Sequence, residues 1–276
     1  MKKSFKFIFY PVIILMINAC GSGEKIDDSL DHMDSTRIAV EETKLNAQNV
    51  FNTMPDRKEI LKLIESHQID YNADLLNDPN FVDKYTIESA KAVNLGVYGS
   101  DLSIASAFEQ TQESIIFLKC VNVLAGDLGV NNAFDQSMFD RMEANKSSKD
   151  STLEIITNAF KSADQILKTN NRPATSAIIL SGAWIEGLYV SCKITESLNS
   201  DEVAKSILSQ EESLKNLIIL LEASKLNDRS DYILHGLKKL HDIFAASMQT
   251  EKTGFEAIKD ISEGITALRT KVVSGI

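Results

Sequence analysis

Two stretches of this chain each hold one ionisable residue among apolar or small neighbours. Between Lys91 and Glu109 the only charge is Asp101, and between Arg172 and Lys193 the only charge is Glu186. A carboxylate in such surroundings is expected to be buried, and a buried charge needs a hydrogen-bonding partner or an altered protonation state. Tyr98, Trp184 and Tyr189 lie close by in sequence and could supply partners or walls. Gln112 falls at helical spacing on the face of Asp101, Ala105 and Phe108. Two carboxylates with aromatic walls could bind a cation, hydrogen-bond a sugar or act as an acid and base pair. The candidate ligand-binding residues are therefore Tyr98, Asp101, Gln112, Trp184, Glu186 and Tyr189, around a space between segments 95–112 and 177–189. No residue is assigned a catalytic role.

The same residues have a plainer reading. Asp101 follows Gly99 and Ser100 and could cap a helix that begins there, while Gly96, Gly99, Gly182 and Gly187 would let helices approach closely. Gly inside a helix costs about 1 kcal/mol against Ala, so four of them in two segments imply a packing or bending reason. Polar groups on an apolar stripe also form networks that fix helix register.

Other chemistry finds little support. His235 and His241 are six apart, about 120° around a helix, and cannot ligate one metal as an i, i+4 pair would. His32 falls in a polar stretch and His67 near a helix end. No His-Glu-x-x-His, Gly-x-Ser-x-Gly, phosphate-binding or dinucleotide-binding loop occurs. No cofactor and no metal is implied, and the expectation is a non-enzymatic protein. Cys120 and Cys192 lie in apolar helical stripes, where free Cys behaves as a small hydrophobe, so two buried thiols are expected rather than a disulfide.

The elements that position these residues are helices. Ile155, Ile156, Ala159, Phe160, Ala163, Ile166 and Leu167 form one stripe at spacings of three and four, and Phe255, Ile258, Ile261, Ile265, Leu268 and Val272 another. Asp56 with Glu59, and Ser151 with Glu154, have the spacing of capping boxes. Pro173 suits a first helical turn, and Gly129 closes a helix. The pattern predicts helices near 36–53, 56–67, 80–97, 100–127, 133–145, 151–169, 173–198, 201–225, 229–249 and 253–274. Short connections make neighbours antiparallel, so the expected fold is all-α: a single-domain antiparallel multi-helix array or bundle over residues 36–276, with a solenoid-like stack as the variant. Trp184-Ile185-Glu186-Gly187-Leu188-Tyr189 has only a faint likeness to a tetratricopeptide repeat. The break at Asn145–Asp150 reads as a surface loop.

Composition agrees. The 276 residues are 43% hydrophobic and 25% charged, which fits a globular protein. There are 12 Gly and 4 Pro, where average usage would give about 19 and 14, so breakers are scarce. The net charge of −10 opposes nucleic-acid binding.

The N-terminus reads as an address. Lys2, Lys3 and Lys6 precede an apolar run from Phe7 to Ile17, the layout of a secretory signal over residues 1–19. The uncharged stretch is interrupted by Pro11 and Asn18 and is short for a membrane span of about 20 residues. Ile17-Asn18-Ala19-Cys20 resembles the lipobox of bacterial lipoproteins, and Ile17 stands where ordinary signal cleavage wants a small residue. The resemblance implies cleavage before Cys20, its acylation, and attachment to a membrane through the lipid, stable because more than one chain is added. Loss of the three lysines takes the net charge from −10 to −13. Residues 20–35 are polar and would form a flexible tether spanning on the order of 20 Å. Gly21 after the Cys matches the sorting pattern of outer-membrane cargo, which implies an envelope location on the periplasmic or surface face. The expected partners are another envelope protein or an extracellular polymer.

The region Lys91–Ser191, with Leu180-Ser181-Gly182-Ala183-Trp184-Ile185-Glu186-Gly187-Leu188-Tyr189 at its centre, resembles uncharacterised all-helical lipoproteins of two-membrane bacteria. That resemblance implies fold and location and carries over no site residue.

Overall fold

The computed structural model describes residues 64–145, 148–224, 226, 227, 229–249 and 251–275. Cys20, the tether, His32 and the capping pair Asp56 and Glu59 lie outside them. The described residues are all-α, with nine α-helices seen from end to end, four short 3-10 turns and no strand. The helices are α1 (Glu88–Ala107), α2 (Thr111–Asp127), α3 (Gln136–Ala144), α4 (Lys149–Thr169), α5 (Pro173–Leu198), α6 (Asp201–Leu208), α7 (Glu211–Ala223), α8 (Asp231–Ser247) and α9 (Lys259–Ser274).

Helices α1 and α5 form the centre, and both are apolar around most of their circumference, as a helix enclosed by others must be. By length and composition α5 could cross a membrane, yet 67% of its most apolar window is buried against the protein. Two of the expected glycines explain the intimacy of this pair. A Cβ on Gly96 would stand 1.9 Å from the Ile179 carbonyl oxygen, and one on Gly182 would stand 1.8 Å from that of Val93. Backbone meets backbone at both points, so neither position has room for a side chain. Gly99 instead accepts the Phe160 ring from α4, at 2.2 Å from its would-be Cβ, whereas Gly187 is in ordinary contact distance of Ser100. Around the central pair, α2 and α4 pack on α1, and α9 packs on α5 and α8.

Several predicted boundaries move for local reasons. Helix α1 runs unbroken through Gly99, Ser100 and Asp101, so Asp101 is mid-helix and caps nothing. The break comes at Phe108–Gln110, where Glu109 takes φ +58 and the Gln110 and Glu109 amides bond the Ala105 and Ser106 carbonyls at 2.8 and 3.1 Å. This is a Schellman closure with glutamate in the left-handed position usually held by glycine, which hides it from a breaker search. Asn171 (φ +57) closes α4 in the same way, and Gly129 (φ +72) closes α2 as its sequence position implied.

Residues expected to begin a helix at 80 form a 3-10 turn, Pro79–Lys84, and α1 starts at Glu88. The helix expected over 201–225 is two, α6 and α7, parted at Ser209 and Gln210. The N-cap of α4 is Ser148, whose Oγ accepts the Ser151 amide at 3.3 Å, so the predicted cap is itself the capped residue. Helix α5 begins with Pro173 in its first turn, as predicted.

Candidate functional site

Asp101 on α1 and Glu186 on α5 are both fully buried. What brings them together is a cation that the sequence pattern does not single out. Arg269 of α9 donates from Nε to Glu186 Oε2 at 2.9 Å and from Nη2 to Oε1 at 2.8 Å, a bidentate pairing whose fixed fork suits a carboxylate. The same Nη2 reaches the Leu75 carbonyl at 3.3 Å. Tyr189, one turn along α5 from Glu186, lies across the guanidinium with its ring centre 4.5 Å away. The Arg269 side chain is 14% exposed against none for Glu186, so the ion pair is closed to water on the carboxylate side.

Asp101 completes the cluster. Its Oδ2 accepts the Asn77 backbone amide at 3.2 Å, while Oδ1 is buried with no partner when the group is taken as a carboxylate. Burial and the charge of Glu186 push its pKa well above the ordinary carboxylate range, against the opposing pull of Arg269 and the Asn77 amide. Burial also raises Glu186, and the Arg269 hydrogen bonds and charge pull it back. Two carboxyls facing one guanidinium cannot both ionise in a low-dielectric interior. The arrangement that leaves no net charge has Asp101 protonated and donating its proton to Glu186, with Glu186 ionised against Arg269.

A belt of polar contacts then ties residues 75–85 over this cluster. Asn77 Nδ2 donates to Tyr85 Oη at 3.0 Å, and Tyr85 Oη donates to the Val273 carbonyl at 3.2 Å. Tyr98 Oη donates to the Asp78 carbonyl at 2.8 Å, and burial pushes that phenol above its ordinary range. The network thus links α1, α5, α9 and the segment before α1, which are far apart in sequence.

Of the six predicted residues the structure gathers Asp101, Glu186 and Tyr189 around Arg269, and Tyr98 stands beside them facing Asp78. Trp184 is buried in the core but makes none of the cluster's polar contacts. Gln112 is exposed on α2, because the chain turns at residues 108–110 and the face it was expected to share with Asp101 ends there. Sequence reasoning misses Arg269 and Asn77. The signal for Arg269 is its place beside the apolar stripe of Ile261, Ile265, Leu268 and Val272, where a cation demands a buried anion. Asn77 acts through its backbone amide, which has no sequence signature.

Cys120 and Cys192 are buried and unbonded. Burial pushes the Cys120 thiol up to about 11 and the Cys192 thiol up to about 12, so neither is a thiolate near neutrality. Among the described residues no group of three or more His, Cys, Asp and Glu is placed to hold a metal. His241 Nε2 instead meets Glu211 Oε1 at 3.1 Å, joining α8 to α7.

Fold and cluster together define an all-α array whose centre is pinned by one buried ion pair and one neutral acid. No protein-family model, curated protein or solved structure matches the chain.

Proposed function

We propose that this chain is a lipid-tethered envelope lipoprotein of a two-membrane bacterium, a non-enzymatic helical module that scaffolds or binds another envelope component. The observation that carries this reading is the N-terminal order of Lys2, Lys3 and Lys6, the apolar run to Ile17, and Ala19-Cys20-Gly21. Cys20 is the acylation site, residues 20–35 are the tether, and Gly21 directs the protein to the outer membrane. Two features of the body support the non-enzymatic part. The lone carboxylates able to form an acid and base pair are engaged with Arg269 and with each other inside the core. The segments expected to flank a ligand space, 95–112 and 177–189, meet backbone to backbone at Gly96 and Gly182.

The test is metabolic labelling of cells with an alkyne-tagged palmitate. The protein should carry label and partition into detergent, and Cys20→Ser should abolish both. Unlabelled wild-type protein in the aqueous phase would overturn the tether. For the scaffold role, crosslinking in native membranes should recover a specific envelope protein or polymer, and recovery of none under saturating crosslinking counts against it.

A further inference from the structure

Residues 75–85 cross the Asp101–Glu186–Arg269 cluster as a strap. The strap contains one 3-10 turn, Pro79–Lys84, and its own backbone bonds are short-range, such as Phe81 to the Asp78 carbonyl at 3.0 Å. Asp78, Asn80, Phe81, Asp83 and Lys84 are exposed, while Leu76, Asn77 and Tyr85 are its buried anchors. A segment with so few buried apolar side chains belongs to the part of a fold that opens first.

Its fastenings to the helices are polar. Arg269 holds the Leu75 carbonyl, Tyr98 holds the Asp78 carbonyl, and the Tyr85 hydroxyl donates to the Val273 carbonyl. The Cys120 thiol of α2, 4% exposed, donates to the Pro79 carbonyl at 3.8 Å, so it lies beneath the strap. Innermost is the Asn77 amide on Asp101 Oδ2. An Asp101 carboxylate under the closed strap would leave Oδ1 without a hydrogen bond and would face the charge of Glu186. Opening the strap admits water to that oxygen and removes the penalty.

The neighbours of Asp101 leave it as the group whose charge responds. Glu186 of α5 is paired with Arg269 of α9. Burial raises Tyr98 of α1 and Tyr85 of the strap, and it pushes the Cys120 thiol up to about 11. Asp78 and Asp83 of the strap lie on the Cys120 side. With the strap open, Asp101 is a hydrated carboxyl that ionises above about pH 3.9. Each further pH unit then favours the open form about tenfold, until the closed form ionises as well.

We infer that residues 75–85 form a pH-gated flap, shut while Asp101 keeps its proton and opened as water takes that proton away, baring Cys120 and the Glu186–Arg269 pair. Cys192, fully buried on α5, reports opening of the whole fold instead.

The experiment alkylates the full chain in detergent micelles with iodoacetamide and reads each cysteine by peptide mass spectrometry. Rates are normalised at each pH to that of N-acetylcysteine, which removes the reagent's own dependence on thiolate. From pH 5 to pH 7 the normalised Cys120 rate should rise about tenfold per pH unit and should exceed that of Cys192 throughout. Asp101→Asn should flatten the Cys120 profile. Tyr98→Phe removes one fastening and should speed Cys120 about fivefold at every pH with the slope unchanged. A flat wild-type profile, an Asp101→Asn profile as steep as the wild type, Tyr98→Phe at the wild-type rate, or equal rates at Cys120 and Cys192 would overturn the inference. Were Asp101→Asn unable to fold, the wild-type slope and the Tyr98→Phe comparison would still decide it. Palmitate labelling of Cys20 bears on none of these rates, so the two readings fail separately.

Discussion

Asp101→Asn is the sharpest probe of the buried cluster, because it separates a neutral acid from a buried anion at constant shape. If Asp101 holds its proton in the folded state, the asparagine amide can donate to Glu186 while its oxygen keeps the Asn77 amide, which now sits 3.2 Å from Oδ2. The sign follows from linkage. Burial and the Glu186 charge raise the folded-state pKa of Asp101 above its unfolded value, which is about 3.9. Below that unfolded value both states are protonated and the group contributes no pH dependence. As pH rises above it, the unfolded chain releases the proton while the folded chain retains it, so the wild type loses stability. The loss is roughly 1.4 kcal/mol for each pH unit over which the folded state keeps the proton. The substituted amide cannot titrate and removes that slope. Urea unfolding of both proteins from pH 4.5 to pH 8 should therefore show Asp101→Asn gaining steadily on wild type as pH rises, to about 2 kcal/mol or more near neutrality. Parallel pH profiles, or a wild type that gains on the variant with rising pH, would mean that Asp101 is ionised in the fold and that the cluster carries net negative charge.

Arg269→Met should remove about 3–5 kcal/mol in the same assay, because it strands a fully buried Glu186. The deficit should grow with pH above about 4.3, since burial then raises Glu186 without opposition. Replacing both partners, Glu186→Leu with Arg269→Met, should recover most of that loss, as a buried pair is often no better than an apolar substitute. Gly182→Ala places a Cβ 1.8 Å from the Val93 carbonyl oxygen, so the thermal midpoint should fall by the equivalent of about 1–3 kcal/mol. Gly126→Ala on α2 meets nothing within 4 Å, and it should raise the midpoint by the equivalent of about 0.5–1 kcal/mol through helix propensity alone.

The class of fold was legible because apolar spacing is a local property. The stripes of α4 and α9 repeat at three and four, breakers are few, and Pro173 and Gly129 mark a start and an end that the structure places where expected. Boundaries failed where the signal was not a breaker at all. Glu109 and Asn171 adopt the left-handed backbone that a search for glycine overlooks, and the cap of α4 lies three residues ahead of the predicted one. Burial of Asp101 and Glu186 was also legible, since each is a lone charge in an apolar helix. That they would meet was not.

Sequence alone determines that two carboxylates must leave water and that glycines must occur where helices touch. Those are consequences of composition within a turn or two of helix. Which groups meet the carboxyls is decided only by tertiary structure: Arg269 lies 83 residues from Glu186 and Asn77 lies 24 from Asp101. Such pairings depend on how α1, α5 and α9 cross, and helix crossing is set by packing over the whole core rather than by any local spacing.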